Sequence, residues 1–147
     1  MQAEFALPDE LSLGASARGN EYAWNPIAFR KVVANAAVLG YACRGGQFQF
    51  RVDDGTAEMY WIETPWQERL KGESWADFAG RSCQATLAEF DRLLSTIDFR
   101  AQAQQFESLV PLLASGWDPT KDLVFVAYFE SQSGWKCGRE KHTKGGA

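Results

Sequence analysis

The chain has 147 residues, 46% of them apolar or aromatic, and a formal charge of −4. That length and apolar share suit one domain with its own core and exclude a disordered or fibrous chain. No run of 18 apolar residues occurs, and the opening MQAEFALPDELSLG carries acids where a secretory signal carries lysines, so the expectation is a cytoplasmic protein without a membrane partner.

The charge is unevenly spread. Residues 136–147 hold four basic groups and one acid, whereas residues 1–135 hold eighteen acids against eleven basic groups, a formal −7. An acidic body argues against nucleic acid as a partner, because that binding depends on phosphate neutralisation, and it suits a basic protein. Cys43, Cys83 and Cys137 are odd in number, stand 40 and 54 positions apart and form no Cys-x-x-Cys pair, which favours neither a disulfide framework nor a zinc module.

Residues 1–22 include Pro8, Gly14 and Gly19, which interrupt any long periodic element, and read as an irregular or partly helical lead-in. In WNPIAFRKVVANAAVLG the helix signals are complete: Asn25 is an N-cap, Pro26 occupies the first helical position and Gly40 supplies a left-handed stop. Ile27, Val32 or Val33, Ala36 and Leu39 form the expected buried stripe. Gly45 and Gly46 then read as a joint at which the chain reverses from helix to strand.

In QFQFRV the period becomes two, placing Phe48, Phe50 and Val52 on one face and Gln47, Gln49 and Arg51 on the outward one. Asp53, Asp54 and Gly55 supply a hairpin turn, with positive φ expected at the glycine, and TAEMYWIE returns with Met59 and Trp61 inside and Glu58 and Tyr60 outside. TPWQERLKGE reads as a loop. Ser74 with Asp77 makes a capping box for a helix whose stripe is Trp75, Phe78, Ala79, Cys83, Leu87, Phe90, Leu94 and Ile97. A further helix is expected over 101–113, kinked or shortened by Pro111, and LVFVAYFE reads as a central strand buried on both faces. The fold class is therefore α+β: a small, mainly antiparallel sheet of the hairpin plus the C-terminal strand, packed against two or three helices. Residues 1–135 form the single domain and residues 136–147 a flexible basic tail.

Most catalytic chemistries lack their residues. A phosphate loop runs from strand to helix N-terminus, whereas Gly45 and Gly46 lie between a helix and a strand and lack the Gly-Lys-Ser/Thr ending. The only histidine is His142, in the expected tail, so Ser–His–Asp and Cys–His pairs and histidine-rich metal sites have no members. Cys43 beside Arg44 could form a thiolate but has no base. Asp53 and Asp54 are explained by the turn, and strict alternation separates Glu58 from Glu63. No catalytic residue, metal or cofactor is expected. Trp61 and Trp75 read as core, whereas Trp66 and Trp117 fall in polar, turn-rich segments beside acids, where rings either anchor protein interfaces or cap a core edge.

The succession of GNEYAW, LGYACRGGQFQFRVDDG, a strand ending near MYWIE, and GESWADFAGRSCQATLAEF resembles small immunity proteins of bacterial polymorphic toxin, contact-dependent and type VI competition systems, over residues 19–90. The resemblance implies a non-enzymatic protein that binds and neutralises a cognate toxin effector domain. Its toxin-binding surface is expected around the hairpin and the following loop, at Asp53, Asp54, Glu58, Tyr60, Glu63, Trp66 and Glu68, with acids steering and rings anchoring. The residues alone leave two alternatives open: an acidic adaptor or regulatory module, and a small thiol-dependent enzyme using Cys43.

Overall fold

A computed structural model describes residues 7–19 and 21–133; the expectations for Cys137, His142 and the basic tail lie outside them. In chain order the elements are α1 (Asp9–Ser12), β1 (Ala15–Arg18), β2 (Glu21–Trp24), α2 (Pro26–Ala36), β3 (Tyr41–Val52), β4 (Gly55–Glu63), α3 (Trp75–Thr96), α4 (Phe99–Ala103), α5 (Val110–Ala114), a 3-10 turn (Pro119–Asp122) and β5 (Leu123–Ser131). The strands form one antiparallel sheet in the order β1-β2-β5-β3-β4, so the fold is α+β with β5 at its centre. The sheet has five strands because the lead-in forms the β1–β2 hairpin, whose four-residue strands are too short for a periodic signal.

Both long helices start on the expected caps. Asn25 Oδ1 accepts from Ala28 N at 2.8 Å, and Ser74 Oγ accepts from Asp77 N at 3.0 Å. The stripe of α2 is shifted from expectation: Phe29, Val32, Val33 and Ala36 are buried, while Ile27 is 69% exposed and Leu39 also faces solvent. Centring on Phe29 lets that ring pack 4.8 Å from Phe90 and 4.7 Å from Phe125. With Phe48, 4.9 Å from Phe125, these rings form the middle of the core between sheet and helices. Each fully buried phenylalanine contributes roughly 2–3 kcal/mol, and favourable ring pairs roughly 0.5–1.5 kcal/mol more. The expected helix over 101–113 is two short ones, because Pro111 lacks an N–H and sits in the first turn of α5 instead of inside a longer helix.

The Gly45–Gly46 reading also changes. Strand β3 begins at Tyr41, directly after Gly40, so both glycines lie inside a strand and reverse nothing. A Cβ on Gly46 would stand 2.1 Å from Val126 O and 2.7 Å from the Phe125 ring, so β3 approaches β5 closely only because that side chain is missing. At the hairpin tip Gly55 does not take positive φ; Asp53 and Asp54 close the turn with ordinary backbone angles.

The sheet curls. Strands β1 and β4 are opposite edges, and a flat five-stranded sheet would hold them about 19 Å apart. Instead Arg18 of β1 donates to Thr56 Oγ1 at 2.6 Å and to Val52 O at 3.1 Å, and Arg51 of β3 donates to Ser16 O at 2.8 Å. The helix-free face thus closes on itself at the hairpin end. Gln49 and Arg51 point away from the helices as expected, yet they are 1% and 8% exposed and not solvated. Burial pushes the Arg51 guanidinium below its ordinary pKa, with repulsion from Arg18 adding to it and Glu21, Glu58 and Tyr128 opposing.

Gly46→Ala should destabilise the protein by about 3 kcal/mol, the upper end for overpacking, in urea denaturation, because backbone on β5 must move. Gly80→Ala, in α3 with open space around its Cβ position, should instead stabilise by roughly 0.5–1 kcal/mol. Equal effects would refute the packing account.

Candidate functional site

The site is built on an irregularity between β3 and β4. Gln47 pairs with Glu63, but Phe48 pairs with Met59, so Tyr60, Trp61 and Ile62 have no opposite residues on β3. This overturns two expectations drawn from strict alternation. Ile62, not Trp61, turns into the core; Trp61 is outside, stacked 5.9 Å from Phe106 and donating Nε1–H to Gln102 Oε1 at 2.9 Å. Glu58 and Glu63, opposite Gln49 and Gln47, now share the helix-free face.

After Glu63 the chain is held against β3. Thr64 N donates to Gly46 O at 2.9 Å, Gly46 N donates to Thr64 Oγ1 at 2.9 Å, and Gln67 N donates to Arg44 O at 2.8 Å. Gly45, at φ 133°, makes this crossing possible: a Cβ there would stand 3.1 Å from both Pro65 O and Thr64 Oγ1. The far end of the loop is clamped by Glu73, whose carboxylate accepts two 2.8 Å bonds from Arg81 and one of 2.9 Å from Leu70 N. The Arg81 hydrogen bonds, then the Leu70 N–H, bring the Glu73 carboxyl down to about 2. Arg81 also donates to Glu68 O at 2.7 Å.

Arg44 organises the middle of the loop and was legible in the sequence only as a neighbour of Cys43. Its Nε donates to Glu130 Oε1 at 2.7 Å, its Nη1 donates to Gln67 O at 2.8 Å, and Glu68 lies 3.8 Å away. The guanidinium carbon lies 4.9 Å from the Phe78 ring and 5.9 Å from the Trp66 ring. Trp66 is 45% exposed and stands 6.2 Å from the Tyr128 ring. Gly46, Gln47, Glu63, Thr64, Trp66 and Tyr128 enclose a cleft of about 260 Å³.

The expected site residues therefore divide. Glu63 and Trp66 line the cleft, and Glu58 is tied to it through Gln47 Nε2 at 3.4 Å. Tyr60, 66% exposed, is not among the residues that line it and has its ring edge-on to Trp61, and Glu68 projects to solvent above Arg44. Asp53 and Asp54 lie at the hairpin tip, the other end of β4, and are not part of this grouping. Trp117 is half-buried, edge-on to Phe50 and donating to Asp122 Oδ2 at 2.9 Å, so it caps a core edge. Gln47 and Tyr128 complete the cleft and carry no sequence signal beyond strand alternation.

Chemically the cleft offers acceptor oxygens and ring faces. The two described thiols lie elsewhere: Cys43 is fully buried, and Cys83 is buried with its pKa pushed up to about 11. Among the described residues, no group of three His, Cys, Asp or Glu side chains could hold a metal ion, and no helix is long and apolar enough to cross a membrane. No protein-family model, curated protein or solved structure matches the chain.

Three measurements test this account. Arg81→Ala should raise the Glu73 carboxyl from about 2 toward its ordinary 4.5, followed by side-chain carbon NMR titration. Because the folded carboxyl is depressed, its contribution to stability is complete above the unfolded value and is lost as pH falls toward 2; Glu73→Gln should flatten acid unfolding between pH 4.5 and 2. In the native protein, iodoacetamide should leave Cys43 unmodified under conditions that label a solvent-exposed thiol completely, and labelling at the exposed-thiol rate would contradict its core position.

Proposed function

We propose that this protein is a bacterial immunity protein that binds and neutralises a cognate toxin effector, using the outer part of β4 and the loop at residues 64–68. The observation that carries the reading is the pairing of two large exposed rings, Tyr60 and Trp66, with three exposed acids, Glu58, Glu63 and Glu68, on a strand and a loop held by hydrogen bonds at both ends. Rings of this kind serve as anchors once desolvated by a partner, and the acids accelerate encounter with a basic surface. An ordered loop loses little entropy on binding, so its contacts are converted more fully into affinity. The resemblance over residues 19–90 covers the strands and helix that present this surface, and it supplies the class of partner. The acidic charge of residues 1–135 fits a basic toxin face.

The test is growth rescue. Co-expression of this chain with the product of the adjacent upstream gene should protect cells that the product alone arrests. The Trp66→Ala/Glu63→Gln pair should abolish protection and weaken binding of the purified toxin by about 2–4 kcal/mol in calorimetry, with unchanged thermal stability. Full protection by the double variant would remove this surface from consideration, and an upstream product without toxicity would favour an adaptor role.

A further inference from the structure

We infer that the cleft between β3, β5 and the loop after β4 is a receptor for one cationic side chain, lysine or arginine, projecting from the partner; this rests on the immunity reading for the partner but not for the chemistry. The groups that face the cleft are complementary to a cation. Glu63 contributes a solvent-exposed carboxylate that has no hydrogen bond or ion pair among the described residues. Gln47 turns its amide nitrogen to Glu58, which leaves its amide oxygen as an acceptor. Trp66 and Tyr128 line the cleft with aromatic rings, whose π-electrons attract a cation.

The nearby positive charge does not oppose this. Arg44 is already compensated by Glu130 at 2.7 Å and by Glu68 at 3.8 Å, so Glu63 remains the uncompensated charge at the cleft. Size sets the class of ligand. A volume of about 260 Å³ is below the range of pockets for free small molecules, roughly 300–1,000 Å³, yet holds one extended side chain. An anion would instead face the Glu63 carboxylate, the one charged group among the described residues that line the cleft, at like-charge cost. The exposed Trp66 ring itself lines the cleft, so a partner anchored on Trp66 would carry its cation to Glu63 without a further rearrangement.

The probes are Nα-acetyl-lysine N-methylamide and Nα-acetyl-arginine N-methylamide, titrated into the whole protein while the Trp66 indole N–H resonance is followed, assigned by its loss in Trp66→Phe. The norleucine N-methylamide is the neutral control. Saturable shifts are expected for either or both cationic probes and none for norleucine. Affinity should fall about fivefold in Glu63→Gln and also with added salt, as expected for one exposed carboxylate–cation contact. No saturable shift, an equal response to norleucine, or unchanged affinity in Glu63→Gln would overturn the inference. Because these titrations contain no toxin, their failure leaves growth rescue untouched, and failed rescue leaves the cation site standing.

Discussion

The close contact of β3 with β5 at Gly46 is the constraint on which the remaining architecture depends. The two strands share nine register positions, and through β5 the β3–β4 hairpin is joined to the β1–β2 hairpin from the start of the chain. The same contact seats Phe125 between Phe29, Phe48 and Phe90, so the sheet and both long helices meet at one ring cluster. These partners are distant in sequence, which makes the arrangement costly in loop-closure entropy and dependent on tight packing for its return.

Two polar systems build on that frame, one inside and one at the surface. On the curled face, Arg18 ties β1 to β4 and Arg51 ties β3 to β1, and buried Gln49 supplies an acceptor to Arg51 while its Nε2 has no partner among the described residues. Orphaned buried groups carry a cost of about 1–3 kcal/mol, which the closure must offset. At the surface, Gly45 admits the crossing loop, Thr64 and Gln67 stitch it to β3, and Glu73 with Arg81 closes its far end. The loop is thereby ordered before any partner arrives, with Trp66 and Glu63 held beside one cleft.

Local chemistry was the legible part of this protein. Asn25, Pro26 and Ser74 announce their helices because a cap satisfies orphan N–H groups within three residues of itself. Phe48 and Phe50 announce a strand face for a similarly local reason, and the apolar run of β5 announces a central strand. Trp61 was misassigned to the core and Glu58 and Glu63 to opposite faces because alternation assumes unbroken pairing, which the register jump in β4 breaks. Arg44 and Tyr128 were missed as site residues because their partners, Glu130, Trp66 and Glu21, lie far away along the chain or across a loop.

The sequence by itself determined the α+β class, the two long helices and their starts, the β3–β4 hairpin, the central character of β5, and the acidic, aromatic-rich surface segment that includes Glu63 and Trp66. Each of these follows from interactions spanning a few residues or from the periodic placement of apolar side chains. Tertiary structure alone decided that Gly45 and Gly46 serve close approach, that β1 and β2 complete and curl the sheet, that Glu58 and Glu63 share a face, and that a cleft forms beside Trp66. Those outcomes turn on which distant backbones touch and at what register, and local propensity carries no record of either.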